Sequence, residues 1–284
     1  IPKKFKLFNF KNSGGLRKKG YNKNSIAGKP LITIITVSLN SENTIQKTIL
    51  SVLNQTYDNI EYIIIDGKSS DNTVKIIKHY ENSIDLWISE RDKGIFNAIN
   101  KGIRVSTGDI IGILNSDDTL TKNALKLVKN YFKDDVDFLF GTVKKDRLLS
   151  GFNKKKIKWK FNVYPAHSSG FFISRKAQLK VGFYDERFKL HADYDLIYKL
   201  TSKLKLNGIA MKKADVTGIF NIKGRTDRES KMNYFYEEFM IRKSNQQNVF
   251  FIITILFLRV IHYLFFRIKI FATISKLIQR KIDF

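Results

Sequence analysis

A short buried strand followed by a polar turn and a helix recurs four times between residues 31 and 132. The first strand is a β-branched run that suits a strand buried on both faces, and the helices that follow carry apolar residues at helical spacing. The predicted strands are Leu31–Ser38, Ile60–Ile65, Ile84–Ser89 and Ile110–Leu114. Parallel strands need crossover helices, so the repeat predicts an α/β fold with a mostly parallel sheet flanked by helices. Functional residues should then lie at the carboxyl ends of the strands.

The remainder of the chain divides into three parts. Residues 1–29 are basic and poorly periodic, which is typical of an arm outside the core. Residues 136–225 contain short apolar pieces and one predicted helix over Ala192–Leu204, and this half is expected to cover the nucleotide half, residues 30–135. Residues 226–284 form a basic and apolar tail that is predicted to be helical.

Composition and charge exclude several classes of protein. A chain of 284 residues with 43% hydrophobic residues can bury a core, and the lack of cysteine excludes disulfides and thiolate sites. Lys and Arg number 51 against 26 Asp and Glu, and the excess is concentrated at the two ends. A uniform basic coat would suggest a nucleic acid or an anionic membrane as partner, but this charge is not uniform. The alternative is that the Ile-, Lys- and Asn-rich composition is a genome-wide bias without meaning for this protein. The first 30 residues lack the apolar run of a secretory signal, so a cytoplasmic location is expected.

Two adjacent carboxylates, Asp117 and Asp118, follow the fourth predicted strand, which is otherwise apolar. Adjacent carboxylates repel, so at a strand end they must be solvated, paired or bound to a cation. Mg²⁺ or Mn²⁺ takes one or two protein carboxylates and completes its shell with water and phosphate oxygens. The pair therefore suits a divalent metal, and the alternative is a solvated turn in which Asp118 caps the next helix.

Two other loops place polar residues at strand ends. Asp66 closes the second strand before a glycine and a helix start, an arrangement that can hold a ribose or a base edge. Lys93 precedes Gly94 at the head of the third helix, where its ammonium and backbone N–H groups could bind a diphosphate. Taken singly, each loop is equally consistent with an ordinary solvated helix start.

Together and in this order, the motifs resemble the GT-A type nucleotide-sugar glycosyltransferases, specifically glycosyltransferase family 2. The resemblance covers about residues 30–225. It is carried by Val37-Ser-Leu-Asn40, Ser51-Val-Leu-Asn-Gln-Thr56, Asp66-Gly-Lys-Ser-Ser-Asp71, Asp92-Lys-Gly94 with Asn100, Gly108-Asp109 and Leu114-Asn-Ser-Asp-Asp118. It implies a Rossmann-like GT-A sheet and a Mg²⁺ or Mn²⁺ ion at Asp117 and Asp118. The implied donor-binding residues are Val37, Leu39, Asn40, Asp66, Asp92, Lys93, Asn97 and Asp117.

The resemblance extends to the acceptor side. His191-Ala-Asp193-Tyr-Asp195 matches the family's acidic motif, whose Asp is a general base, although Ala192 stands where many members have Glu. Residues two apart on a helix point about 200° apart, so only one carboxylate can face the cleft. Asp193 is the preferred base, with Asp195 as an acceptor contact. Pro165-Ala-His167 makes His167 an acceptor or diphosphate contact, or else a structural histidine.

One departure from the family concerns the nucleotide loop. Many members have Asp-Asp-Gly where this chain has Asp66-Gly67-Lys68. Because the second carboxylate is missing, the mode of base recognition, and hence the identity of the base, stays open.

The resemblance implies an inverting transfer of a sugar from a nucleoside-diphosphate sugar to a hydroxyl of a glycan or lipid-linked glycan, in the synthesis of surface polysaccharide or lipid-linked oligosaccharide. A metal-dependent nucleotidyltransferase would also pair Asp residues at a strand end, but it usually has a Gly-rich basic loop that residues 37–42 lack. A nucleic-acid-binding protein is suggested by the charge alone. The acidic signature positions argue against it, so no nucleic-acid partner is expected.

The apolar run Val249–Phe266 could nearly span a bilayer, but Arg259 falls in the middle of it. On a helical wheel the basic residues of the tail occupy about half the circumference, which is typical of a helix lying in the membrane interface. With the basic arm, this predicts peripheral association with the anionic inner face of the cell membrane. The alternatives are a hairpin packed on the core and a membrane span.

Overall fold

A computed structural model describes residues 10–159, 164–221 and 231–267. The chain forms two compact units, residues 1–227 and residues 228–284. The first nine residues of the predicted arm and the part of the predicted tail after residue 267 lie outside the described residues.

The first unit is built on an α/β sheet and a second, smaller sheet. The strands are β1 (Ser13–Gly14), β2 (Ile32–Ser38), β3 (Ile60–Asp66), β4 (Leu86–Ser89), β5 (Ile110–Asn115), β6 (Thr119–Leu120), β7 (Phe138–Phe140), β8 (Thr142–Lys144), β9 (Leu148–Leu149), β10 (Phe171–Ser174), β11 (Gly208–Ala210) and β12 (Val216–Ile219). The helices of this unit are α1 (Ile45–Leu53), α2 (Thr73–His79), α3 (Ile95–Val105), α4 (Ala124–Tyr131), α5 (Arg175–Val181) and α6 (Ala192–Tyr198).

The large sheet has eight strands in the order β1-β4-β3-β2-β5-β10-β7-β11. Strands β2 to β5 pair in parallel and are connected through α1, α2 and α3, whereas β1 and β10 run antiparallel to their neighbours. The predicted mostly parallel α/β sheet is confirmed. Every residue of β2 and β3 is buried, as expected for strands covered by helices on both faces.

Helix α3 approaches β2 closely at Gly102. A Cβ atom at this position would lie 2.4 Å from Cγ2 of Ile35, so a larger residue would push the helix away from the sheet. The close approach places the start of α3 beside the carboxyl ends of the central strands.

Two predicted helices differ in extent from the observed ones. The sequence predicts a helix from Thr121, but α4 begins at Ala124. Thr121 follows β6 and is held by β12 of the smaller sheet β6-β12-β8-β9, since its N–H donates to the carbonyl of Thr217 at 2.9 Å. The helix predicted over Ala192–Leu204 is α6 followed by a π-helical turn, Lys199–Lys203.

The described part of the N-terminal segment packs on the sheet, in contrast to the predicted arm outside the core. Strand β1 extends the sheet at β4. Arg17 donates to the carbonyl of Val105 at 2.6 Å and pairs with the buried Glu61, and Lys23 pairs with the buried Asp85 at 2.9 Å. Buried carboxylates need partners, so these basic residues are held in place by acids of the core.

The second unit contains two helices that contact each other, α7 (Lys231–Ser244) and α8 (Val249–Arg267). Glu238 of α7 is buried and accepts hydrogen bonds from Arg242 at 2.7 and 2.9 Å, and Arg259 of α8 pairs with its other oxygen at 3.0 Å. Arg259 thus points towards α7 in an ion-paired cluster. Among the residues that the structure describes, no helix combines the length and the apolar character that crossing a membrane requires.

Candidate active site

The candidate site lies at the carboxyl ends of β2, β3, β4 and β5, which meet at one edge of the sheet because these strands are parallel. Strand β10 runs in the opposite direction, so the residues that precede it reach the same edge. The backbone N–H of Asn115, the last residue of β5, donates to the hydroxyl of Ser168 at 2.8 Å. The segment 167–169 therefore lies next to the loop that carries Asp117 and Asp118.

Asp118 is almost completely buried, with 1% of its surface exposed, at the start of β6. Its Oδ1 accepts a hydrogen bond from the backbone N–H of Asn221 at 2.9 Å, while Oδ2 is buried without a hydrogen-bond partner among the described residues. Burial raises the pKa of Asp118 to about 6, against the lowering effect of the nearby Ser168 hydroxyl and of the Asn221 N–H. Burial also raises the pKa of the half-buried Asp117. The free Oδ2 leaves one acceptor for a ligand.

This donor set fits a divalent cation. A buried carboxylate oxygen without a partner is costly, and a cation would satisfy it and stabilise the ionised form. The described residues contain no group of three or more His, Cys, Asp and Glu side chains that could hold a metal. Mg²⁺ or Mn²⁺ nonetheless needs only one or two protein carboxylates when phosphate oxygens and water supply the remaining ligands, and Asp117 and Asp118 provide that number.

The loops after β2 and β3 hold each other through side chains. Asp66 is fully buried, and its two oxygens accept hydrogen bonds from Ser38, Ser69 and Ser89. Asn40 adopts a left-handed conformation, φ 50°, and its Oδ1 accepts from the backbone N–H of Ser70 at 2.9 Å. These two predicted donor contacts therefore organise the loops.

Val37 and Leu39, two further predicted donor contacts, differ in exposure. Val37 points into the core with 6% of its surface exposed, and its carbonyl accepts the N–H of Ser116 at 3.2 Å. Leu39 is 40% exposed and presents an apolar side chain at the carboxyl edge of the sheet.

At the head of α3, Asp92 accepts the backbone N–H of Gly94 through Oδ1 at 2.9 Å. Asn97 accepts the N–H of Lys93 at 3.2 Å and donates to Glu186 at 2.8 Å. The predicted contacts at Asp92, Lys93 and Asn97 are brought together in this turn. The amide of Asn97 is already used to fix the turn to the acceptor half.

On the acceptor side, Asp193 and Asp195 have different environments. Asp193 is half-buried, and its Oδ2 accepts the hydroxyl of Tyr164 at 3.1 Å. Asp195 is 1% exposed and pairs with Lys199 at 2.6 Å. An ion-paired, buried Asp195 serves the packing of α6, whereas Asp193 is partly open to solvent and retains Oδ1, which bonds none of the described residues.

His167 joins the same network. Its Nε2 lies 2.7 Å from the hydroxyl of Tyr184, and its ring stacks on Phe171 with centroids 5.7 Å apart. Burial lowers the pKa of His167, an effect that the nearby Asp193 opposes, and burial raises the pKa of Tyr184 well above its usual value. A neutral imidazole and a neutral phenol thus lie near the Asp193 carboxylate.

Four residues of the site were absent from the sequence expectations, namely Tyr164, Ser168, Tyr184 and Glu186. Tyr164 and Ser168 flank the Pro165-Ala-His167 motif, and this position in the sequence could have marked them as residues of the site. Nothing in the local sequence marks Tyr184 or Glu186, because their partners are Asn97 and Asn100 on α3, more than 80 residues away.

Comparison with solved structures identifies the fold of the chain. The chain superposes on Staphylococcus aureus TarS 1–349 in complex with UDP-GlcNAc with a TM-score of 0.62 at 15% identity, covering 80% of this chain and 70% of that one. It also superposes on the mannosyltransferase PcManGT from Pyrobaculum calidifontis, solved with GDP-Man and Mn²⁺, with a TM-score of 0.60 at 14% identity, covering 80% and 67%. The fold is that of the GT-A type glycosyltransferases.

The particular family follows from the sequence. The model of the family described as Glycosyl transferase family 2 matches residues 33–191, and the chain belongs to this family. It is 37% identical over 113 residues to the Escherichia coli UDP-Glc:alpha-D-GlcNAc-diphosphoundecaprenol beta-1,3-glucosyltransferase WfgD, covering 39% of this chain and 45% of WfgD. It is 31% identical over 186 residues to the chondroitin synthase of Escherichia coli, covering 61% of this chain and 26% of that enzyme. The chain thus spans less than half the length of these two relatives.

The strained burial of Asp118 generates a prediction about stability. Because its folded pKa lies above its unfolded value, ionisation disfavours the folded state, and the chain loses stability as the pH rises from about 4 through 6. Asp118→Asn retains an oxygen for the Asn221 N–H and removes the charge. We expect it to raise the free energy of unfolding by roughly 1–3 kcal/mol at pH 8 and to give no gain at pH 4.

Urea unfolding of the full chain with a chelator, at both pH values, measures this difference. Asp117→Asn is the matched control and should give a smaller gain, because Asp117 is less buried. An Asp118→Asn variant that is no more stable than the parent at pH 8 would show that the carboxylate is not strained.

Proposed function

We propose that this chain is an inverting glycosyltransferase that moves a sugar from a nucleoside-diphosphate sugar to an acceptor hydroxyl. The observation that carries the proposal is the presence of two carboxylates with unused oxygens, Asp118 Oδ2 near Ser168 and Asp193 Oδ1 near His167, at neighbouring residues of the segment 167–169. The first belongs to the loop that follows β5, at the edge where family members hold the donor diphosphate. The second lies near the half-buried rings of Tyr164 and His167, which can pack against a sugar ring.

In the proposed reaction, the acceptor oxygen attacks the anomeric carbon from the face opposite the diphosphate. The new C–O bond forms as the bond to the diphosphate oxygen breaks, and the bonding electrons leave with the diphosphate. Asp193 takes the hydroxyl proton on Oδ1, while the Tyr164 hydroxyl holds Oδ2 in place. One displacement at this carbon inverts its configuration, and no covalent enzyme intermediate is required.

Asp117 and Asp118 would hold a Mg²⁺ or Mn²⁺ ion through their carboxylates. When bound, the cation would stabilise the negative charge that develops on the leaving diphosphate. Lys93, exposed at the head of α3, is placed to add a second positive charge at the same edge.

The acceptor is proposed to be a glycan or a lipid-linked glycan in the synthesis of surface polysaccharide. The names of the relatives support this class, since WfgD is described as acting on a diphosphoundecaprenol-linked sugar and another relative is a chondroitin synthase.

A donor panel tests the function directly. The full chain is incubated with nucleoside-diphosphate sugars and membranes that contain lipid-linked acceptors, and the products are weighed by mass spectrometry. We expect one donor to add one sugar mass to an acceptor and to release the nucleoside diphosphate, with loss of activity in a chelator and recovery on adding Mn²⁺ or Mg²⁺. Transfer of the nucleoside monophosphate to the acceptor, with release of sugar 1-phosphate, would instead indicate a nucleotidyltransferase.

The assignment of Asp193 as the general base gives a second prediction. Asp193→Asn cannot accept the acceptor proton, so we expect turnover to fall by roughly 10²–10⁴-fold with donor affinity nearly unchanged. Asp195→Asn is the matched control, because its carboxylate lies two residues away and pairs with Lys199. Single-turnover assays and donor binding of both folded variants measure the difference. A folded Asp195→Asn variant that is the inactive one contradicts the assignment.

We also propose that the second unit binds an anionic membrane surface. The proposal rests on which side chains of α8 are buried and which are exposed. The inner side of α8 carries Ile252, Ile255 and the ion-paired Arg259. Large apolar side chains on the other side of the described part of α8 are exposed, among them Phe250, Ile253, Phe257 and Leu258 at 55–82%. Residues 241–284 carry eight Lys or Arg against one acid, so a lipid surface with anionic head groups complements both features.

Flotation with vesicles of phosphatidylglycerol and phosphatidylethanolamine tests this surface. Phe250→Glu combined with Phe257→Glu should lower the partition coefficient for vesicles by about 10-fold or more. The double variant loses two aromatic side chains that would insert into the lipid, and it adds two negative charges that the anionic head groups repel. The control is Ile26→Glu with Leu179→Glu, which changes two exposed apolar residues of the first unit in the same way. Equal binding of both double variants would show that α8 is not the membrane contact.

A further inference from the structure

Gly67 occupies a tightly packed point at which three donor-side loops converge. A Cβ atom at this position would lie 2.5 Å from Oδ2 of Asp92 and 3.4 Å from Cδ1 of Leu39. The φ angle of Gly67 is not in the left-handed region, so backbone conformation does not demand a glycine. The carboxylate of Asp92 fills the space that a side chain at position 67 would take, and this packing favours glycine there.

Asp66 is not available to a ligand in this arrangement. Its Oδ1 accepts the hydroxyls of Ser38 and Ser69, and its Oδ2 accepts the N–H of Ser69 at 3.0 Å and the hydroxyl of Ser89 at 2.7 Å. An ionised carboxylate has about four acceptor positions, and all four are used.

Asp92, in contrast, has one acceptor left. Its Oδ1 accepts the N–H of Gly94, whereas its Oδ2 bonds none of the described residues. Asp92 as a whole is half-buried, and both its Oδ2 and the side chain of Leu39 lie close to Gly67. The three loops therefore bring together an apolar side chain, Leu39, the backbone of Gly67 and a carboxylate oxygen that lacks a hydrogen bond, Asp92 Oδ2. We call these residues the Leu39/Gly67/Asp92 cluster.

We propose that Asp92 is the residue that reads the donor base, accepting the ring N–H of a uracil-type base through Oδ2 while Leu39 packs against the face of the ring. This inference rests on the proposed function and adds to it the class of nucleotide. Asp92 would thereby supply the carboxylate for base recognition that is missing at Gly67, where many family members carry an Asp.

The pattern of donors and acceptors selects the base. Uracil and thymine present one ring N–H between two carbonyls, which matches one free carboxylate oxygen. Guanine presents two adjacent donors and would need both oxygens, but Oδ1 is engaged by Gly94. Adenine and cytosine present an unprotonated ring nitrogen at this edge, and an acceptor facing an acceptor is repulsive.

Binding of UDP, GDP, CDP and ADP to the full chain with Mn²⁺, measured by calorimetry, tests the inference. We expect UDP to bind best, and Asp92→Asn to weaken UDP by roughly 10- to 100-fold, the effect of losing one hydrogen bond to a charged group. Because the amide can also donate to a ring nitrogen, the preference for UDP over CDP should fall in this variant.

Two further variants make the test specific. Gly67→Ala adds a methyl group that must displace the Asp92 carboxylate, so it should also reduce the preference for UDP. Glu90→Gln removes a neighbouring exposed charge that pairs with Lys101, and it should leave the preference unchanged.

Three results would overturn the inference. One is an Asp92→Asn variant that weakens all four nucleotides equally, which would indicate a role in the loop or at the diphosphate. Another is a parent chain that prefers GDP, CDP or ADP while transferring sugar from that donor, which would leave the proposed function standing. A parent chain that binds none of the four would remove the proposed function together with the base assignment.

Discussion

The parallel register of β2, β3 and β4 is the constraint on which the donor side depends. It places Ser38, Asp66 and Ser89, each the last residue of its strand, in one row across the sheet. Asp66 therefore stands between two serine hydroxyls and accepts both. A slip of one residue in either pair would turn these side chains to opposite faces, and the buried carboxylate would lose its partners.

The fold of the sheet was predictable from the chain, whereas the partners in the site were not. Apolar runs and helical spacing are local signals, and they identified β2 to β5 and the loops that follow them. The satisfaction of Asp66 and the proximity of Asp92 to Gly67 depend on residues that are far apart in sequence and meet only through the sheet. The helical wheel of the tail showed where Arg259 points relative to its own helix, but it could not reveal Glu238 on the neighbouring helix.

The acidic pair illustrates how a site can oppose stability. The pairing of β6 with β12 draws Asp118 into the interior and leaves one oxygen without a partner. A chain selected for stability alone would place an amide or an apolar residue there. The retention of a strained carboxylate beside a second one is what would be expected if a cation supplies the missing interaction during function.

The donor and acceptor halves are connected through a few side chains of α3. Asn97 and Asn100 both donate to Glu186, and Asn100 exchanges hydrogen bonds with the backbone of Tyr184. Tyr184 in turn contacts His167, beside the proposed base. A displacement reaction requires the attacking oxygen and the leaving diphosphate to be held in line. The turn that carries Asp92 and the network around Asp193 are thus both hydrogen-bonded to the segment 184–186, so this segment connects the proposed contact for the nucleotide base with the proposed general base.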